Sequence, residues 1–176
     1  MSVFNRKKER GRDKNTFLQK PVFALCILFM SAPNIHGSHT SNKASDDDLR
    51  RSLTHTAKSL IGRPYKSGEA GPACFDCCGF SMYVYQCNGI NIPRTARDQF
   101  GKGTRIDKKR LHLGDLLFFR ITNKDISHVG LYIGNDKFIH APYPGKAVRI
   151  EKLNTEYWKK RYAAAVTYLH VSDETS

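Results

Sequence analysis

"HVGLYIGNDKFIHAP", residues 128–142, consists of two short apolar runs split by Asn135-Asp136, a pair suited to reversing the chain. It reads as a β-hairpin with a histidine at each outer end: His128 opens the first strand and His140 closes the second. A two-residue turn at Asn135-Asp136 would pair residue 134 with 137, and that register puts the two histidines on opposite faces. For them to meet, the loop must hold an odd number of residues or the ladder must carry a bulge.

Around the hairpin the texture is similar. "GDLLFFRI" (114–121) is an apolar run suited to a buried strand, and "AVRIEKL" (147–153) and "AAAVTYLH" (163–170) are further strand candidates. Upstream the period changes. "DDLRRSLTHTAKSLIG" (47–62) carries Leu49, Leu53, Ala57 and Leu60 at helical spacing, with an acidic start and a glycine stop. "RPYKSGEAGPACFD" (63–76) is turn-rich. "CGFSMYVYQCNG" (78–89) is helical, with Asp76 placed to cap its start, Gly89 to end it, and Phe80, Val84 and Cys87 on one stripe. "INIPRTARDQF" (90–100) reads as an irregular turn and a short helix. Helices first and consecutive strands after make the class α+β, with N-terminal helices packed on an antiparallel sheet.

The chain has 176 residues and is 40% hydrophobic, enough for one domain with a core plus a tail. Its formal charge of +13 is unevenly spread: in the first twenty residues Arg6, Lys7, Lys8, Arg10, Arg12, Lys14 and Lys20 face only Glu9 and Asp13, a net +5 that leaves +8 for the rest. The apolar run "PVFALCILFMSA" (21–32) follows, too short for a comfortable membrane span of roughly 20 residues. Basic flank, brief apolar run, then small residues: residues 1–37 are expected to be an export signal, cut near Gly37–Ser38, with any membrane attachment made only through it. Residues 38–47 are expected to be a linker, 48–170 the folded domain and 171–176 a loose tail. No helix interleaves clustered Lys/Arg with aromatics, so nucleic acid is not the expected partner. Export and basic charge point instead to an anionic wall polymer.

Cys26 lies in the apolar run, leaving Cys74, Cys77, Cys78 and Cys87. Cys74 and Cys77 have the C-x-x-C spacing of a zinc site, but the histidines supply no matching second pair. An oxidising setting permits a disulfide among Cys74, Cys78 and Cys87. The third reading is a nucleophile. A thiolate is favoured at a helix N-terminus and beside an imidazole. Cys77 and Cys78 both start the helix. Cys77 heads the stripe of Phe80, Val84 and Cys87 facing the sheet, where the histidines are, while Cys78 is rotated by about 100° onto the flank with Ser81, Met82 and Tyr85. On this reading Cys77 is the nucleophile, His128 its base, and His140 the residue that orients the base.

The segments "FDCCGF", "INIPRTARDQ", "GDLLFF" and "HVGLYIGNDKFIHAP" together resemble the NlpC-type cell-wall peptidases, cysteine hydrolases with a papain-like core. The resemblance spans residues 48–169, with the motifs in family order. It implies hydrolysis of peptide bonds in peptidoglycan stem peptides or cross-links; with the export signal, the expectation is a monomer acting outside the cytoplasm with no metal or other cofactor. It assigns nucleophile, base and third polar residue to Cys77, His128 and His140, and puts Tyr65 beside the site, where its hydroxyl would help the Cys77 N–H stabilise the oxyanion. Where the family usually has serine after the nucleophile, this chain has Cys78, a near-isosteric exchange next to Asp76 and Cys77. An acyl- or amidotransferase on the same core and a non-catalytic wall-binding module are the competing classes. Free amino termini among the products, or acyl transfer to an added amine, separate them.

Overall fold

The structure, a computed structural model, describes residues 41–122 and 125–170. The expected signal and C-terminal tail lie outside the described residues. Three helices come first: α1 (Ser41–Ser59), α2 (Cys77–Cys87) and α3 (Ala96–Lys102). Strands β1 (Thr104–Ile106), β2 (Leu116–Phe119), β3 (His128–Tyr132), β4 (Lys137–His140), β5 (Arg149–Lys152) and β6 (Tyr162–Thr167) follow, with α4 (Glu156–Arg161) between β5 and β6. They form one antiparallel sheet in the order β1-β6-β2-β3-β4-β5. This is the expected α+β arrangement.

One strand and two helices depart from the sequence reading. Strand β1 was not anticipated: it has three residues and is largely exposed, so it shows no apolar run. Helix α1 reaches back to Ser41, into the stretch expected to be a linker. Neither glycine nor proline occurs between Ser38 and Ile61, so nothing breaks the helix there. Helix α4 was not anticipated: at six residues it is too short to display an apolar period.

All four residues of β2 are buried because both faces of the sheet are covered. On one face Leu116, Phe118, Val129, Leu131 and Ile139 pack with Leu53 and Ala57 of α1 and Phe80 and Val84 of α2. On the other, Leu117, Phe119 and Phe138 pack with Leu153 and with Trp158 of α4. Each fully buried Phe, Leu or Val contributes about 1.5–3 kcal/mol, so two apolar clusters hold the central strands from both sides. A buried ion pair joins α1 to the start of β2: Arg50 Nη1 lies 2.9 Å from Asp115 Oδ1, whose other oxygen accepts from the His112 N–H at 2.6 Å.

The hairpin resolves the register question. Leu131 pairs with Ile139 and Tyr132 with Phe138, while the Ile133 N–H donates to the Lys137 carbonyl at 3.0 Å. The loop is therefore Gly134, Asn135 and Asp136, three residues, all with positive φ (84°, 51° and 53°). An odd loop puts His128 and His140 on the same face, as their meeting required. Gly and Asn/Asp are the residue types that adopt these angles with least strain.

Candidate active site

Helix α2 starts at Cys77, and its cap is strongly built. Asp76 Oδ1 accepts from the Gly79 N–H at 2.7 Å, and Oδ2 accepts from the Gly68 N–H at 3.0 Å. Arg94 grips the same carboxylate with two nitrogens, at 3.0 and 2.6 Å. Gly79 is required by closeness: a Cβ there would stand 2.1 Å from the Glu69 carbonyl oxygen. The loop before the helix thus lies directly on its first turn. Gln99 of α3 ties that turn from the other side. Its amide nitrogen donates to the Cys78 carbonyl at 3.1 Å and its oxygen accepts from Ser81 Oγ at 2.8 Å.

The two sulfurs at the helix start are 3.5 Å apart. Cys78, expected on the flank of the helix beside Ser81, Met82 and Tyr85, is thus in contact with Cys77. The buried arc of α2 includes Ser81 and Tyr85, the line on which Cys78 sits, so its side chain lies inside the site. Cys87, expected on the inner stripe, is exposed with Gln86 because the last turn runs beyond the core. The thiols are driven apart in acidity. A hydrogen bond from Cys78, then one from His128, hold Cys77 below the ordinary thiol range against the opposing effect of burial. The bond to Cys77 and burial push Cys78 up, so it remains a protonated donor.

The histidines reach Cys77 by an unexpected route. By register, His128 pairs with Phe119 and His140 with Arg149, so both belong to the face that Trp158 covers, not the face on which α2 packs. Cys77 meets His128 because His128 is the first residue of β3 and the N-terminus of α2 arrives at that end of the sheet. His128 Nε2 and His140 Nδ1 are 2.8 Å apart, which leaves His128 Nδ1 for the thiol. Trp158 stacks on His128, and its ring edge meets His140. Burial holds His140 down to about 4, so it is neutral at neutral pH.

Behind His140 stands Glu151. Its carboxylate accepts from Trp158 Nε1 and from Arg149 Nε, the latter at 2.6 Å. Together these groups floor a cleft of about 640 Å³ whose lining includes Tyr65, Cys77, His128, His140, Tyr143 and Arg149. Tyr65 is a half-buried phenol raised above its ordinary acidity range by burial, then by the nearby Cys77, so it stays a donor.

Residues 62–167 match the NlpC/P60 family. The chain belongs to this family. Among NlpC/P60 relatives, the γ-D-glutamyl-L-lysine dipeptidyl-peptidase of Bacillus cereus is 38% identical over 128 residues, covering 72% of this chain and 37% of that protein. The murein DD-endopeptidase MepH of Escherichia coli is 39% identical over 130 residues, covering 71% and 48%. The chain therefore spans less than half the length of either relative. Two solved structures share the fold. An NlpC/P60 family protein from Bacillus cereus has a TM-score of 0.66 at 36% identity, covering 69% of this chain and 40% of that one. The NlpC/p60 domain of the peptidoglycan hydrolase SagA has a TM-score of 0.59 at 33% identity, covering 67% and 97%.

Of the residues the sequence singled out, Tyr65, Cys77, His128 and His140 line one cleft, and Asp76 and Cys78 support it from α2. Sequence reasoning missed four others. Arg94 and Gln99 were inside a quoted motif, "INIPRTARDQ", and a polar residue in an otherwise turn-like motif was the available signal. Glu151 and Trp158 carried none that is local.

Proposed function

We propose that this NlpC/P60 chain is an exported cysteine peptidase that hydrolyses peptide bonds in the stem peptides or cross-links of peptidoglycan. The observation that carries the reading is the convergence of Cys77, His128 and His140 in one cleft, with the 2.8 Å His128–His140 contact fixing the base. Relatives named as a murein DD-endopeptidase and a γ-D-glutamyl-L-lysine dipeptidyl-peptidase support the substrate class.

In this reading the Cys77 thiolate attacks the scissile carbonyl carbon. The N–H of Cys77, at the open end of α2, and the Tyr65 hydroxyl stabilise the oxyanion. The His128 imidazolium gives its Nδ1 proton to the leaving amine as the C–N bond breaks, leaving a Cys77 thioester. Neutral His128 then takes a proton from water, the resulting hydroxide adds to the thioester, and collapse releases the carboxylic acid and the thiolate, with the proton back on His128. Cys78 S–H donates to Cys77 whenever it is anionic, and His140 holds the base in place.

The test is digestion of purified peptidoglycan by the reduced protein, with mass spectrometry of the fragments. New free amino termini, absent with Cys77→Ala, are expected and also identify the bond. Fragments joined to an added amine would replace hydrolysis with acyl transfer, and intact peptides with wild-type protein would leave a wall-binding module.

A further inference from the structure

The His128–His140 contact imposes a condition on His140 that the proposed triad does not meet by itself. When Cys77 and His128 rest as thiolate and imidazolium, both ring nitrogens of His128 carry protons. Its Nε2–H must then be accepted by His140 Nδ1, 2.8 Å away. Neutral His140 therefore carries its own proton on Nε2. That atom is buried and has no hydrogen-bond partner at ordinary distance; the Glu151 Oε1 atom stands 3.5 Å from it. An orphaned buried donor is costly, and the opposite tautomer, with its proton on Nδ1, would aim one N–H at another.

We propose that Glu151 is a positioning residue for this site, selecting the Nε2–H tautomer of His140 and thereby sustaining the Cys77–His128 ion pair. Three features support the assignment. The register pairs His140 with Arg149 and Phe138 with Glu151, so both side chains belong to the same face of the sheet. The carboxylate is itself fixed, by Trp158 Nε1 on one oxygen and by Arg149 on the other. Glu151 also lies at the cleft wall and not on open surface, with its side chain 22% exposed. The relay is Cys77–His128–His140–Glu151. No proton passes to Glu151, which acts only through His140. From the surrounding elements the other ionisable groups lining the cleft are Arg149 on the same strand, Tyr65, Cys77, His128, Tyr143 and Tyr157.

This inference rests on the cysteine-peptidase reading. Loss of that reading has its own signature: Cys77→Ala would still cleave. The inference itself is tested first in the unmodified protein, by the ring ¹⁵N shifts of His140. A protonated Nε2 with an unprotonated Nδ1 is expected; a protonated Nδ1 overturns it. The second test is Glu151→Gln, whose amide keeps the volume and removes the charge. Its kcat should fall by at least about tenfold with KM little changed. The pH at which iodoacetamide labels Cys77 should move upward, and Glu151→Asp should recover part of both. A Glu151→Gln protein with unaltered kcat and labelling profile, losing only thermal stability, would make Glu151 a strand-edge clamp and refute the proposal.

Discussion

The indole of Trp158 lies against the imidazole of His128, with ring centroids 5.8 Å apart and planes 23° from parallel. The same indole donates its N–H to Glu151, so one side chain supports both ends of the histidine pair. Trp158→Phe keeps a ring on His128 but removes the donor. A hydrogen bond to a charged group is worth roughly 1.5–3 kcal/mol. The variant should unfold at lower urea by about that much and should turn over more slowly. An unchanged urea midpoint would show that the bond to Glu151 contributes nothing.

The sulfur pair predicts unequal reactivity. Cys77, held anionic by Cys78 and His128, should be alkylated by iodoacetamide well below the ordinary thiol range, while Cys78 remains unlabelled. Cys78→Ser should keep most activity, because a hydroxyl still donates to the thiolate. Cys78→Ala loses that donor, and its Cys77 should label only at higher pH. Peptide mapping of adducts across a pH series reads this directly. Labelling of Cys78 before Cys77 would reverse the roles of the two residues.

Two glycines should respond oppositely to alanine. At Gly79 the new methyl would meet the Glu69 oxygen and the Ala70 Cα at 2.1 and 2.8 Å, both backbone atoms that can move only with the loop. Overpacking of this kind costs about 1–3 kcal/mol or more, and here it also loosens Asp76 and the start of α2. At Gly101, inside α3, nothing lies within 4 Å, so alanine should stabilise the protein by about 0.5–1 kcal/mol. Thermal denaturation of the two variants side by side is the check.

Acid should weaken the fold through His140 and Glu151 together. Burial depresses His140 to about 4 from an ordinary 6.5, so as pH falls across that interval the unfolded chain gains a proton that the folded one refuses. Glu151, held down to about 2 from 4.5 chiefly by the facing His140 and also by Trp158 and Arg149, stabilises the fold above its unfolded value. That contribution is lost as pH falls toward 2. Both act in the same direction, so the urea midpoint should drop steadily below about pH 6.5. Glu151→Gln should flatten the lower part of that curve, and a midpoint independent of pH would contradict both assignments.

What was legible in the sequence was what is local. Apolar runs gave β2 to β6, and the capped, periodic segment after Asp76 gave α2 and with it Cys77. The helix wheel was less dependable at its edges. It set Cys78 on the flank because it treats the covered arc as a line, whereas Ser81 and Tyr85 widen that arc to include it. Glu151 was hidden for a different reason. In β5, exposure alternates only between partial and full, as in any edge strand, and Glu151 gains its role only when Phe138 lies beside it in register and Trp158 folds over from α4. Those are pairings between distant segments, and no window along the chain contains them.

The three-residue turn from Gly134 to Asp136 closes on one pair, Ile133 with Lys137, and every face assignment along the hairpin descends from it. Paired residues share a face however many residues join them, so the turn can change length as long as that pair holds. The strands have no such freedom. One residue added or removed between His128 and Ile133, or between Lys137 and His140, sends one imidazole to the opposite side of the sheet, toward the cluster of Leu131, Ile139 and Phe80. A library of this hairpin should therefore accept turns of several lengths and reject every odd-numbered insertion or deletion within its strands, whatever residues are used.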